Sequence, residues 1–445
     1  ENVYEIIYKL KRYAESGIKN YTHSVDLWMK NSGLIIDCDE KKNALRNLFK
    51  NSKVAFIYGA AGTGKSTMIN YISSLFKDKQ KIFLANTNPA VENLRRKVTA
   101  EHAEFVTITK FLSKDVSNDC DILCLDECST ISNRDMVRVL QRAQCKLLVL
   151  VGDIYQIESI LFGNWFNIAY KVMPKDSVAE LTRPHRTTVQ GLIEVWNKVR
   201  EITEDRLEFI TRNGLSSTLD ESIFSRTEED EIVLCLNYDG IYGINNINKF
   251  LQSNNVNPSI NWGVLSYKVG DPVLFNESNR FAPLVYNNLK GKILQIEEEE
   301  DCIYFTIEVY TVLNELDVIG FDLELKESVT DETSVIRFKV GRGGDGNDDN
   351  DNVENVVPFQ VAYAISIHKA QGLEYESVKV VITSEIEEMV SHNIFYTAIT
   401  RAKSKLKIYW SPETEKRILE NMKVQFNDKD YQLFKAKYKE ALLKS

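Results

Sequence analysis

One stretch limits the fold more than any other: FIYGAAGTGKST, from Phe56 to Thr67. A short apolar run, Val54 to Tyr58, leads into a cluster of small residues that ends in Gly-Lys-Ser. The stretch fits G-x-x-x-x-G-K-[ST], with Gly59, Gly64, Lys65 and Ser66 at the fixed positions and Gly62 between them. Positions without side chains let backbone N–H groups curl around a phosphate chain. Lys65 then reaches the β- and γ-phosphates, and the Ser66 hydroxyl is placed to bind Mg²⁺. Thr63 and Thr67 complete the predicted phosphate loop. The MINYISSLF that follows reads as a helix whose N-terminal dipole faces the anion. Strand, loop and helix occur in the order a nucleotide-binding unit needs. A glycine-rich turn without a ligand is the weaker reading.

At 445 residues the chain has room for two to four domains, and a hydrophobic fraction of 43% supplies their cores. The net charge of −9 means that the surface as a whole does not attract nucleic acid, although a local basic groove is compatible with it. No apolar run approaches the ~18 residues of a membrane span. No signal peptide is evident, and Glu1 rather than Met suggests a fragment or processed chain, with any fused effector domain outside it. Seven scattered cysteines suggest reduced thiols and a cytoplasmic protein. Cys120, Cys124 and Cys128 approach metal-ligand spacing, but Cys124 lies in the strand-like run ILCLDE. Four strand residues span roughly 13 Å, too far for shared ligation. Small buried side chains are expected instead.

Residues 1–33 carry Val3, Ile6, Ile7, Leu10 and Tyr13 at helical spacing and read as an amphipathic packing helix. From 34 to 180, the apolar runs VAFIYG, KIFLANT, DILCLDE and KLLVLVGD alternate with helical segments. That pattern predicts a parallel sheet covered on both faces, with ligands at the carboxyl ends of its strands. A second such block occupies 181–263 and 358–412, with EIVLCLN, VAYAISIH, VKVVITS and KLKIYW. Between them, at 264–340, GDPVLF, GKILQI, CIYFTIEVY and SVIRFKV follow one another without helices. They predict a small inserted antiparallel barrel. EEEED at 297–301 marks a solvated hairpin turn. Residues 341–357 read as a flexible acidic loop, since the residue order of a calcium loop is absent. Residues 413–445 read as terminal helices.

Further blocks follow the phosphate loop. LCLDECS puts Asp126 and Glu127 at a strand end, where one carboxylate suits Mg²⁺ and the next suits the attacking water. LVLVGDIYQIESI brings Gly152, Asp153 and Gln156; a glutamine there can touch both the γ-phosphate and the attacking water. LTRPHRT (181–187), AISIHKAQGLEY (364–375) and FYTAITRAK (395–403) come next. In order and style these blocks resemble superfamily 1 helicases, and the RecD-like 1B branch in particular, over roughly residues 34–410. Six ordered blocks are far more specific than the glycine-rich loop alone.

The resemblance implies an α/β fold of two RecA-like P-loop parallel-sheet domains, 1A (34–180) and 2A (181–263 and 358–412). It implies an inserted SH3-like β-barrel at 264–340. It assigns Lys65, Ser66, Asp126, Glu127 and Gln156 to a nucleotide site for ATP and Mg²⁺. Arg186 and Arg401 would be arginine fingers that stabilise the transferring phosphoryl group. Gly372 and Glu374 would border nucleotide and nucleic acid. Ser366, His368, Lys369 and Gln371, with Thr87, Asn88 and Pro89, would contact the strand, mainly through phosphates.

Three positions depart from the family pattern. Lys41 stands near the place of the adenine-contacting glutamine. The T-I-H block reads Thr107-Ile108-Thr109. Only SKDVSNDC (113–120) occupies the place of the domain 1B hairpin. The expected activity is ATP-driven movement along single-stranded DNA, 5′ to 3′. The alternatives are an RNA-directed superfamily 1 helicase and a nucleotide-dependent switch for a fused or bound effector.

Overall fold

The computed structural model describes residues 1–60, 62–113, 117–155, 164–182, 187–276, 280–282, 284–328, 330–342, 355–422 and 428–438. The chain forms two compact units. The first comprises Glu1–Arg206, Ser391–Thr400 and Asn421–Ser445; the second comprises Leu207–Val390 and Arg401–Glu420.

In the first unit, six strands form one sheet: β1 (Val54–Gly59), β2 (Lys81–Ala85), β3 (Ala103–Thr107), β4 (Asp119–Leu125), β5 (Gln144–Gly152) and β6 (Val178–Leu181). Their order is β3-β2-β4-β5-β1-β6, and every pairing is parallel. All six residues of β1 are buried. Val54, Phe56 and Tyr58 enter one apolar cluster, and Ala55 and Ile57 enter another. That two-residue alternation is what a strand covered on both faces requires.

The expected single helix over 1–33 is two, Asn2–Ala14 and Tyr21–Asn31. The physical reason lies in the sheet. Ile6, Ile7 and Leu10 pack into the cluster of Phe56 and Tyr58, whereas Tyr21 and Val25 pack into that of Ala55 and Ile57. One straight helix cannot serve both faces. The chain turns near Gly17, where a Cβ would collide with the Lys50 backbone.

The first unit also runs past the expected boundary at residue 180. The helix Gln190–Glu201 belongs to it, and so does the helix His392–Ile399. Trp196 donates its indole N–H to the Ile399 carbonyl at 3.0 Å, and His392 Nε2 lies 2.8 Å from the Val199 carbonyl.

The second unit holds β7 (Ser216–Ser217) and β8 (Glu231–Cys235), then a hairpin of β9 (Ser259–Trp262) and β10 (Leu265–Lys268). Next come β11 (Pro272–Phe275), β12 (Lys290–Glu298), β13 (Cys302–Val309), β14 (Glu324–Lys326), β15 (Ser334–Gly341) and β16 (Phe359–Val361). The last three are β17 (Ala364–Ser366), β18 (Tyr375–Val381) and β19 (Ala402–Tyr409). A five-stranded parallel sheet runs β17-β8-β18-β19-β7. The insertion is an antiparallel sheet in the order β14-β15-β13-β12-β11-β16. Its core is aromatic: Phe305 meets Phe359 edge-on at 4.9 Å, and Phe281 lies 5.1 Å from Phe338. The EEEED turn joins β12 to β13, closed by a hydrogen bond from Glu299 N–H to the Cys302 carbonyl.

A fully buried carboxylate joins the insertion to its host sheet. Asp271 accepts from Asn255 at 2.9 Å, the Tyr363 hydroxyl at 2.7 Å, Gln252 at 2.5 Å and the Lys268 backbone N–H at 2.9 Å. A buried charge persists when its lone pairs are filled in this way.

Candidate functional site

In the first unit the candidate residues gather at the carboxyl ends of three adjacent strands. β1 runs into the glycine loop, β5 ends at Gly152, and β4 leads to Asp126 and Glu127. With neighbouring strands ~4.8 Å apart, the end of β4 lies about 10 Å across the sheet from the end of β1. Gly64 has φ +84°, and a Cβ there would come within 2.5 Å of Lys41 Nζ. The backbone hand is what favours glycine at this position, since the lysine terminus could shift aside. Lys65 and Ser66 open the helix Lys65–Leu75, and Lys65 Nζ donates to the Gly59 and Ala60 carbonyls at 2.8 and 2.9 Å. The Thr63 hydroxyl donates to the Ala60 carbonyl at 2.9 Å.

Asp126 accepts the Glu127 backbone N–H at 2.8 Å. Burial pushes its carboxyl above the usual carboxylate range, opposed by that N–H and by the ammoniums of Lys65 and Lys97. Glu127 has φ +52° and ψ +41°, the left-handed region, which a residue with a Cβ adopts only when its surroundings hold it there. One half-buried carboxylate and one serine hydroxyl at a helix start make a sparse donor set. That suits Mg²⁺, which keeps waters and substrate phosphate oxygens in its shell.

Asp153 was noted in the sequence but not assigned a role. It is 3% exposed, with Oδ1 accepting the Tyr155 N–H at 3.0 Å and Oδ2 buried without a hydrogen-bond partner among the described residues. An orphaned buried carboxylate oxygen beside the nucleotide strands marks a functional candidate. Its signal in the sequence was the apolar strand that ends at Gly152. Gln156 and Arg186 lie outside the described residues.

Lys41, at the place of the expected glutamine, is fully buried and pairs with Asp37 at 2.5 Å. Its neighbour Glu40 accepts from the Thr182 N–H and hydroxyl at 3.0 and 2.7 Å. Thr87 caps the helix Asn88–Lys97 by accepting the Ala90 N–H at 3.4 Å. Thr87 and Asn88 are exposed, whereas Pro89 is buried. Thr107 likewise caps the short helix Ile108–Leu112. The free thiols Cys120 and Cys124 both lie on β4, and burial pushes both upward.

In the second unit, Ser366 ends β17 and its hydroxyl accepts the Lys369 N–H at 3.2 Å. His368 is exposed, and Lys369 Nζ reaches Gln360 at 3.1 Å. Gln371 Nε2 is buried without a hydrogen-bond partner among the described residues. Gly372, at φ +81°, turns the chain into Leu373-Glu374-Tyr375. Arg401 is 3% exposed; its Nη1 donates to the Leu373 carbonyl at 3.2 Å, and its own carbonyl accepts the Tyr375 N–H at 3.0 Å.

Two family models match the chain: an AAA domain over residues 38–220 and a UvrD-like helicase C-terminal domain over 361–409. A protein of Methanocaldococcus jannaschii, MJ1519, is 24% identical over 83% of this chain. The chain spans 37% of that relative's length. The RecBCD enzyme subunit RecD of Buchnera aphidicola subsp. Schizaphis graminum is 23% identical over 87% of this chain and 78% of its own. Among solved structures, the Bacteroides Pif1 helicase in complex with ADP-AlF3 and ssDNA aligns with a TM-score of 0.52 at 16% identity. It covers 92% of this chain and 98% of its own. Over most of its length the chain is thus similar to RecD and Pif1 helicases. Its mixed α/β architecture with parallel sheets is that of the Pif1 fold.

Proposed function

We propose that this RecD/Pif1-like chain is an ATP-dependent motor on single-stranded DNA, coupling hydrolysis to movement in the 5′ to 3′ direction. The observation that carries the reading is the meeting, at three adjacent strand ends, of a glycine cradle with Lys65, a half-buried Asp126 and a strained Glu127. Gly59, Gly62, Thr63, Gly64, Lys65, Ser66 and Thr67 hold the nucleotide phosphates. Ser66 and Asp126 hold Mg²⁺, which supplies charge neutralisation on the phosphate oxygens when bound. Glu127 orients the attacking water and takes its proton. Gln156 reads the γ-phosphate, and Arg186 and Arg401 bring positive charge to the phosphoryl group. Gly372 and Glu374 link nucleotide state to the strand. Thr87, Asn88, Pro89, Ser366, His368, Lys369 and Gln371 line the strand path.

In this reading the first sheet is domain 1A, the five-stranded parallel sheet is domain 2A, and the antiparallel insertion is an SH3-like module. An effector outside this chain is compatible with it. The test is ATPase rate with no nucleic acid, with single-stranded DNA and with single-stranded RNA. DNA stimulation supports the motor. RNA-only stimulation points to an RNA-directed helicase, and nucleotide turnover indifferent to both points to a switch.

A further inference from the structure

The insertion carries one lysine that leaves its own sheet. Lys290, the first residue of β12, sends Nζ to Asp230 Oδ1 at 2.6 Å and to the Glu374 carbonyl at 3.2 Å. The ammonium also lies over the Tyr375 and Tyr310 rings, at 4.2 and 5.0 Å from their centroids. Asp230 is the second half of the clasp: its Oδ2 accepts the Glu376 N–H at 3.2 Å, and its carbonyl accepts the Ser377 N–H at 3.1 Å. Burial pulls the Lys290 ammonium below its ordinary pKa, and Asp230 opposes that pull. A surface ion pair would have neither the rings nor the carbonyl.

The same short stretch is gripped from the other side. Arg401 binds the Leu373 carbonyl and the Tyr375 N–H, the residues either side of Glu374. Lys290 from the insertion and Arg401 from the host sheet therefore hold three consecutive residues between them. Hydrogen bonds to successive backbone groups of one loop constrain each other's geometry, so a shift at Lys290 is felt at Arg401.

We infer that Lys290 is a positioning residue: it fixes the loop 373–376 against Arg401, so that the inserted sheet sets the stance of the arginine. This rests on the motor reading above, in which Arg401 acts on the phosphoryl group. A displacement of β12 relative to the host sheet would then reach the loop that Arg401 holds.

The experiment is steady-state ATP hydrolysis by the full chain at saturating single-stranded DNA. Four proteins are compared: wild type, Lys290→Met, Lys290→Arg, and Lys290→Met combined with Asp230→Asn, each with a thermal melt. Lys290→Met is expected to lower kcat about tenfold, the scale of a small misplacement of a reacting group. The KM for ATP should stay within about twofold, since ground-state binding is untouched. Lys290→Arg keeps charge and reach and should recover most of the turnover. The double variant removes the unpaired carboxylate charge. It should recover the melting temperature but not kcat. Recovery of kcat together with stability would reduce Lys290 to a structural link and overturn the inference, as would wild-type kcat in Lys290→Met. Absence of ATP hydrolysis in the wild type would instead bring down the motor reading itself.

Discussion

At the scale of single residues, the site divides into groups that bind and groups that act. Lys65→Ala removes the ammonium that neutralises phosphate charge, so both nucleotide binding and hydrolysis should be lost. Glu127→Gln keeps the shape and removes the proposed base. It should bind nucleotide with near wild-type affinity and turn over at least about a hundredfold more slowly, the usual scale of general-base loss. Equilibrium binding of a fluorescent ATP analogue, paired with phosphate release, separates the two outcomes; normal turnover in Glu127→Gln would dismiss it as the base. Its left-handed backbone supports the assignment, because strain at a residue with a side chain persists where the surroundings impose it. Arg401→Ala should lower kcat far more than it raises the KM for ATP, since an arginine that meets developing charge acts on the transition state. A large loss of affinity with unchanged turnover would make it a ground-state anchor.

At the scale of elements, the joint between insertion and host depends on one buried carboxylate. Asp271 satisfies four donors from the helix Ile244–Ser253 and its following turn, from β10 and from the chain ahead of β17. Asp271→Ala strands those donors in the interior and should cost about 3 kcal/mol. Val256→Ser, at a site 97% exposed, should stay within about 0.5 kcal/mol. Urea unfolding of the two variants compares them directly, and equal midpoints would show that the joint is not held by Asp271. The strands were legible beforehand because β1 is a continuous apolar run, β4 and β5 end in one, and β13 alternates strictly between buried and half-buried residues. The glycine loop was legible because its chemistry is local. The break near Gly17 was not, because helical spacing records that a face is apolar and not which side of a sheet it will meet. Lys290 was equally invisible: nothing beside it in the chain announces Asp230 or Glu374, 60 and 84 residues away. Asp153 shows the intermediate case, a residue whose position was readable but whose orphaned oxygen needed three-dimensional packing to appear.

At the scale of the whole molecule, the question is whether ATP-driven movement becomes strand separation. Binding should rest mainly on phosphates, because a chain of net charge −9 has no general attraction for nucleic acid and must rely on local contacts. Affinity for single strands should then fall steeply with salt and vary little with base sequence. Separation needs more than a grip: a rigid element must stand at the fork while the strand is pulled past it. In the first unit the helix Ile108–Leu112 is followed closely by β4, which begins at Asp119. The connecting residues, SKDVSN at 113–118, are polar and carry no aromatic side chain to stack on a base pair. Two antiparallel strands and a turn would consume nearly all of them. The expected outcome is therefore competent stepping along a single strand and poor unwinding by this chain alone. Displacement of streptavidin from a biotinylated single-stranded end measures the first, and separation of a tailed duplex under the same conditions measures the second. Efficient unwinding of long duplexes by residues 1–445 would refute the expectation and direct attention to the inserted sheet as the wedge. Failure of displacement in both directions, on DNA and on RNA, would leave the nucleotide-dependent switch as the better account, with the strained Glu127 and the clasped loop 373–376 timing a conformational change instead of a step.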